Sequence, residues 1–105
     1  MKILGYEWTL ENKLSVEQIG SSGKMIMANQ LILIATNQCE EQKISTVLHE
    51  IIEVLNYSFN LKLNHNQIFS LESGLYQTLK DNGIDLQPLL NDLNPKTKIE
   101  FKTGL

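Results

Sequence analysis

Residues 45–57 read Ser-Thr-Val-Leu-His-Glu-Ile-Ile-Glu-Val-Leu-Asn-Tyr, and the periodicity of this stretch decides the fold. Apolar residues recur here at three- and four-residue spacing, as in the buried stripe of an amphipathic helix. The stripe consists of Ile44, Val47, Leu48, Ile51, Ile52, Leu55 and Phe59. The pattern predicts a helix over residues 38–60, with Asn37 or Ser45 as its cap.

Shorter apolar runs precede this helix. Leu4, Tyr6, Trp8 and Leu10 stand at alternate positions, which is the period of a half-buried strand. The runs Met25–Ala28 and Leu31–Ala35 flank an Asn-Gln pair, which favours a hairpin. Residues 1–36 are therefore predicted to form a short antiparallel β-meander of about three strands.

A second helical pattern follows over residues 64–82. It carries Ile68, Leu71, Leu75 and Leu79 and ends at Asn82-Gly83. Residues 84–105 form a C-terminal extension, with a short third helix around Leu86–Leu93 and an edge strand or tail at Lys98–Lys102. Strands followed by helices predict a single α+β domain, a β-meander and then a two- to three-helix bundle.

Composition limits the classes of function. The chain has 105 residues, a net charge of −3 and no arginine, which argues against nucleic-acid binding. A single cysteine excludes an internal disulfide. The longest apolar run has five residues, far short of the ~20 of a membrane span, and the N-terminus does not resemble a signal peptide. We therefore expect a cytoplasmic protein with no membrane or nucleic-acid partner.

The chemistry of the sequence centres on His49-Glu50-Ile51-Ile52-Glu53. His49 and Glu53 are four residues apart, so they lie one turn apart on one helix face, nearly opposite the stripe through Ile44 and Leu48. The spacing is that of the HExxH zinc helix, with Glu in place of the second His. His65, at the start of the second helix, is the only other histidine. His49, Glu53 and His65 are thus predicted to bind zinc, with Glu50 as general base.

Two further residues lie on the face of the second helix that carries His65. Glu72 follows His65 by seven residues, which is two helical turns, and Tyr76 is one turn further. Glu72 could replace one of the proposed metal ligands, or either residue could support the ligands through hydrogen bonds. The alternative is a surface acid beside a packing tyrosine.

The stretches Ser45–Tyr57, His65–Ile68 and Gly74–Asn82 resemble small phage and low-G+C bacterial proteins related to minimal zincin-type metallopeptidase domains. The shared features are a Leu-His-Glu-Ile helix and a second helix ending in a Leu-Tyr-Gln…Leu…Asp-Asn phrase. The resemblance covers about residues 20–86. It implies a zincin-like α+β fold with His49 and Glu50 on the active helix. Glu53 departs from the usual second histidine of the motif.

Two functions of different classes follow from these observations. One is a zinc-dependent peptidase, with Glu50 as base and an extended peptide or protein substrate pairing along Leu31–Ala35. The other is a noncatalytic phage or bacterial interaction module that retains the fold. A magnesium-dependent nucleotide pyrophosphohydrolase ranks below both, because no second acidic pair accompanies Glu50 and Glu53. A di-iron bundle ranks lower still. The oligomeric state stays open.

Overall fold

The computed structural model describes residues 1–12 and 21–93. A small hairpin of β1 (Lys2–Ile3) and β2 (Tyr6–Glu7) opens the chain, followed by β3 (Thr9–Asn12). Strands β4 (Gly23–Ile26) and β5 (Leu31–Ile34) complete a three-stranded sheet in the order β3-β5-β4. Helices α1 (Glu40–Ser58) and α2 (His65–Asp81) follow. The predicted α+β class is confirmed.

The first strand of the sequence prediction is divided in two. Leu4 and Gly5 have positive φ angles of 54° and 85°, so the chain reverses between β1 and β2. Leu4 and Tyr6 are consequently exposed, whereas Trp8 and Leu10 are buried. A single strand through all four residues is therefore wrong, because the turn puts only the last two against the core.

The predicted antiparallel meander is only partly right. Strands β4 and β5 are antiparallel, but β3 pairs with β5 in parallel, with Thr9 opposite Leu31. The hairpin connection is a 3₁₀ turn over Met27–Asn29 plus Gln30 in the left-handed region, rather than a two-residue Asn-Gln turn. Because β3 and β4 flank β5, the Leu31–Ile34 strand is the centre of the sheet.

Helix α1 packs on the sheet along most of the predicted stripe, but Val54, which the prediction left out, is buried, and Phe59, which it included, is 58% exposed. The main core cluster joins Val47 and Val54 of the helix to the sheet and to the N-terminal residues. Its buried members are Ile3, Trp8, Leu10, Ile32, Ile34, Val47 and Val54. A second cluster, of Leu48, Ile52 and Ile68, joins α1 to α2. The helix is therefore buried on two sides, against the sheet and against α2.

The link between the two helices is fixed by asparagines. Asn56 Oδ1 accepts a hydrogen bond from the Leu63 backbone N–H at 2.9 Å. Asn60 and Lys62 take left-handed φ angles of 52° and 59°, which reverse the chain. Asn64 and Gln67 then exchange two bonds of 2.8 Å in a capping box. These contacts set where α2 begins, and so where His65 lies.

The buried stripe of α2 differs from the predicted one. Ile68 is buried as expected, but Leu71 and Leu75 are 45% and 44% exposed. Glu72, a carboxylate, is the other fully buried residue of this helix. The apolar pattern misled the prediction because a polar contact, described below, turns Glu72 towards α1.

Beyond α2, the expected third helix is a 3₁₀ turn over Gln87–Leu90, with Pro88 in its first turn. Leu93 makes a parallel bridge with Leu10 at the outer side of β3. The strand or tail expected at Lys98–Lys102 lies outside the described residues. Across residues 1–12 and 21–93, neither helix is long and apolar enough to cross a membrane.

Candidate functional site

An open cleft of about 640 Å³ lies between α1, the start of α2 and the beginning of β4. Its lining includes His49, Glu50, His65, Phe69 and Glu72. The rest of the described lining is uncharged and polar or small: Ser21, Ser22, Gly23, Asn37, Gln38, Gln42, Ser45 and Thr46. Of the residues singled out for chemistry, His49, Glu50, His65 and Glu72 therefore face a cavity, whereas Glu53 and Tyr76 are not part of its lining.

His49 is held by a buried carboxylate. Its Nδ1 lies 2.8 Å from Glu72 Oε1, and the other oxygen of Glu72 accepts a 2.7 Å bond from Ser45 Oγ. The side chains of His49 and Glu72 are only 14% and 11% exposed. With Glu72 ionised, Nδ1 is the donor to it. The imidazole ring is thus fixed with Nε2 turned away from Glu72.

The second nitrogen of His49 faces two more candidate ligands. Nε2 lies 3.4 Å from Glu53 Oε2, and ligand atoms of His49, Glu53 and His65 all fall within 4.8 Å of one another. Two atoms bound at ~2.1 Å to one tetrahedral ion are about 3.4 Å apart. The His49–Glu53 pair matches that separation, and the ligand atom of the exposed His65 lies at most about 1.4 Å beyond it.

Phe69 covers the two imidazole rings. Its ring centroid lies 5.0 Å from that of His49 and 4.7 Å from that of His65, with both rings inclined to it. Phe69 stands one turn after His65 on α2, so both side chains project from one helix face towards α1. The two histidines are themselves 6.0 Å apart.

Glu50 is a buried acid beside this group. It is 6% exposed, and burial raises its pKa from 4.5 to about 7. The nearby His49 opposes this rise, while the charges of Glu53 and Glu72 add to it. Gly23 accounts for much of the burial: a Cβ there would collide with Thr46 Cγ2 and lie 3.3 Å from Glu50 Oε2. A glycine at this point lets β4 approach α1 closely enough to enclose the carboxyl group.

The structure brings together most of the residues that the sequence singled out. His49, Glu53, His65, Glu50 and Glu72 share one site, and Glu72 contacts His49 directly. Tyr76 lies apart: it packs against the cluster of Leu48, Ile52 and Ile68, and Lys80 Nζ lies 5.2 Å from the centre of its ring.

Sequence reasoning missed three residues of the site. Ser45 was considered only as a helix cap, yet its hydroxyl binds Glu72. Phe69 follows His65 by four residues, a spacing that could have pointed to it. Gly23 gave no local signal, because its role arises from the approach of strand and helix.

Comparison with known proteins gives no match: no family model, no curated protein and no solved structure is significantly similar to this chain.

The raised pKa of Glu50 predicts a pH-dependent stability in metal-free protein. The folded state holds this proton more tightly than the unfolded chain, so stability from Glu50 is full below pH 4.5 and falls as the pH rises through about 7. Between these limits wild type should lose about 3 kcal/mol of unfolding free energy relative to Glu50→Gln. Urea unfolding with chelator present measures this difference. Glu41→Gln, at an exposed position of α1, serves as control. If the unfolding free energies of wild type and Glu50→Gln changed in parallel with pH, the raised pKa of Glu50 would be contradicted.

Proposed function

We propose that the cleft binds a zinc ion through His49, Glu53 and His65, and that the protein is a zinc-dependent peptidase or related hydrolase with Glu50 as general base. The observation that carries the proposal is the approach of these three ligands within 4.8 Å, beside a buried carboxylate that orients His49. His₂Glu is a common ligand set for catalytic zinc, and it leaves a fourth position open.

The hydrogen bonding of His49 supports metal binding. When Nδ1–H donates to an ionised Glu72, the neutral ring has its lone pair on Nε2, which lies 3.4 Å from Glu53 Oε2. A lone pair facing a carboxylate oxygen at 3.4 Å is repulsive unless a cation lies between them or the ring is protonated. Metal-bound histidines usually donate their other N–H to a carboxylate in this way.

The charge of the cleft also favours a cation. Glu50, Glu53 and Glu72 surround His49, and none of the described lining residues is a lysine. Three carboxylates grouped around one imidazole repel one another, and they also repel an anionic ligand. A divalent cation would relieve that repulsion and would bring the pKa of Glu50 down again, because a nearby positive charge favours the carboxylate.

Zinc in such a site supplies polarisation of a carbonyl oxygen and acidification of a water molecule. Glu50 takes one proton from the attacking water as its oxygen adds to the carbonyl carbon. It then gives that proton to the leaving amine as the C–N bond breaks. Glu72 keeps His49 in one tautomer. Each of these roles falls on a residue beside or within the cleft.

The strand for an extended substrate is β4 rather than Leu31–Ala35. Strand β5 is paired on both sides, so the sequence-based expectation for that strand is wrong. Just before β4, the Ser22 carbonyl accepts a hydrogen bond from the Ala35 N–H, and alternation then turns the backbone groups of Gly23 and Met25 away from β5. The Gly23 carbonyl is bonded by Ser21 Oγ, which leaves Met25 as the residue for pairing with a peptide.

The noncatalytic alternative has one specific observation in its favour. A protonated His49 could bridge Glu72 and Glu53 as a buried ion pair, with contacts of 2.8 Å and 3.4 Å and no metal. The cluster would then only join the two helices. A measurement of bound metal distinguishes this metal-free ion pair from the proposed zinc site.

We expect the purified protein to bind about one zinc ion per chain, and His49→Ala and His65→Ala to lose it. Elemental analysis after dialysis against zinc measures the stoichiometry. Cys39→Ser is the control for an exposed thiol elsewhere and should keep the metal. Zinc that is absent from wild type, or kept by both histidine variants, would refute the site.

Glu50→Gln should keep the zinc and lose at least about 100-fold of any peptide hydrolysis, because the amide cannot accept the proton. A mixture of fluorescence-quenched peptides with random sequences provides the substrate, and zinc content is measured on the same samples. Glu41→Gln should retain full activity. Hydrolysis that survives in Glu50→Gln would show that another group is the base.

A further inference from the structure

Phe69 is the one hydrocarbon side chain among the described residues that line the cleft. It is 47% exposed, although it contacts the rings of both histidines. Phe69 therefore combines a large exposed apolar surface with a place in the cleft lining, beside the candidate ligands His49 and His65. An apolar surface of this kind inside a concave polar site is typical of a ligand contact.

The exposure of Phe69 differs in kind from that of Leu71 and Leu75. Those leucines are exposed to a similar degree on the same helix, but they do not line the cleft. Phe69 stands one turn after His65 and faces α1 from the cleft side. Other parts of the lining are polar and include the hydroxyl groups of Ser21 and Ser22. Phe69 and these polar residues thus differ in the chemistry that they can recognise.

Gln38 and Phe69 also differ in whether their polar or apolar groups are already engaged within the protein. Gln38 Nε2 donates to the carbonyls of Ser22 and Ala35, and Gln38 Oε1 accepts from Thr46 Oγ1. These bonds occupy the amide and hold the polar wall in place. Phe69 packs against the two imidazole rings and is 47% exposed, so its exposed surface is available to another apolar or aromatic group.

We propose that Phe69 is a specificity-determining residue that binds an apolar, preferably aromatic, group next to the atom bound by zinc. The substrate class is then a peptide with a large apolar side chain beside the scissile bond. This inference rests on the proposed zinc site, because it places the recognised group relative to the metal.

The test compares two zinc-binding probes that share one head group. Acetohydroxamic acid presents a methyl group and benzohydroxamic acid presents a phenyl ring. Calorimetric titration of the zinc-loaded protein should give about 10-fold tighter binding of the aromatic probe. Phe69→Ala should reduce this ratio to about 2-fold, while the affinities for zinc and for acetohydroxamic acid change by less than about 2-fold. Phe69→Leu should give an intermediate ratio, and Leu75→Ala, the matched control on the same helix, should keep the wild-type ratio.

Other results of these titrations would overturn the proposed role of Phe69. If Phe69→Ala keeps the 10-fold ratio, or if wild type shows no preference, Phe69 does not determine specificity. Equal weakening of both probes with loss of zinc affinity would make Phe69 only a support for the histidines, which also overturns the inference. If wild type binds no zinc, or zinc-loaded protein binds neither probe, the proposed function itself fails and this inference fails with it.

Discussion

A charge-assisted hydrogen bond between His49 Nδ1 on α1 and Glu72 Oε1 on α2 links the two helices at the cleft. It explains why a carboxylate occupies a buried position of α2 while Leu71 and Leu75 remain exposed. A buried carboxylate without partners is costly, and here both oxygens are satisfied, one by His49 and the other by Ser45. The same bond decides which nitrogen of His49 faces Glu53. Helix packing and site chemistry therefore depend on one contact.

Acidic side chains are buried at this site, and burying an acid costs free energy. Glu50 is enclosed where Gly23 lets β4 approach the helix, and its pKa rises to about 7. A fold that needed only stability would gain by replacing such a group with an apolar one. Perturbed titratable groups of this kind collect at functional sites. The arrangement is therefore more informative than the HExxE spacing alone, because that spacing also occurs on solvated helix faces.

Helical periodicity was sufficient to predict α1, α2 and the α+β class, since an apolar stripe has to find a core. The positions of His49, Glu53 and His65 in the two helical patterns also led to the prediction that these residues share one metal site. Periodicity failed where tertiary contacts override local pattern. The Leu4–Gly5 turn divides the first strand, and the parallel pairing of β3 with β5 has no local signal. The stripe of α2 was misplaced because hydrophobicity cannot show that Glu72 has two buried partners. Phe69 and Gly23 belong to the site only through the approach of distant segments.

The central claim is that Glu72 fixes His49 so that Nε2 is free to bind a metal. The most direct measurement is the long-range ¹H–¹⁵N NMR spectrum of the His49 imidazole at neutral pH, before and after one equivalent of zinc is added. We expect a proton on Nδ1 throughout, and a change in the Nε2 resonance from an unprotonated nitrogen to a metal-bound one. A doubly protonated ring whose two nitrogen resonances do not respond to zinc would contradict it, and the cluster would then be an ion pair between two helices.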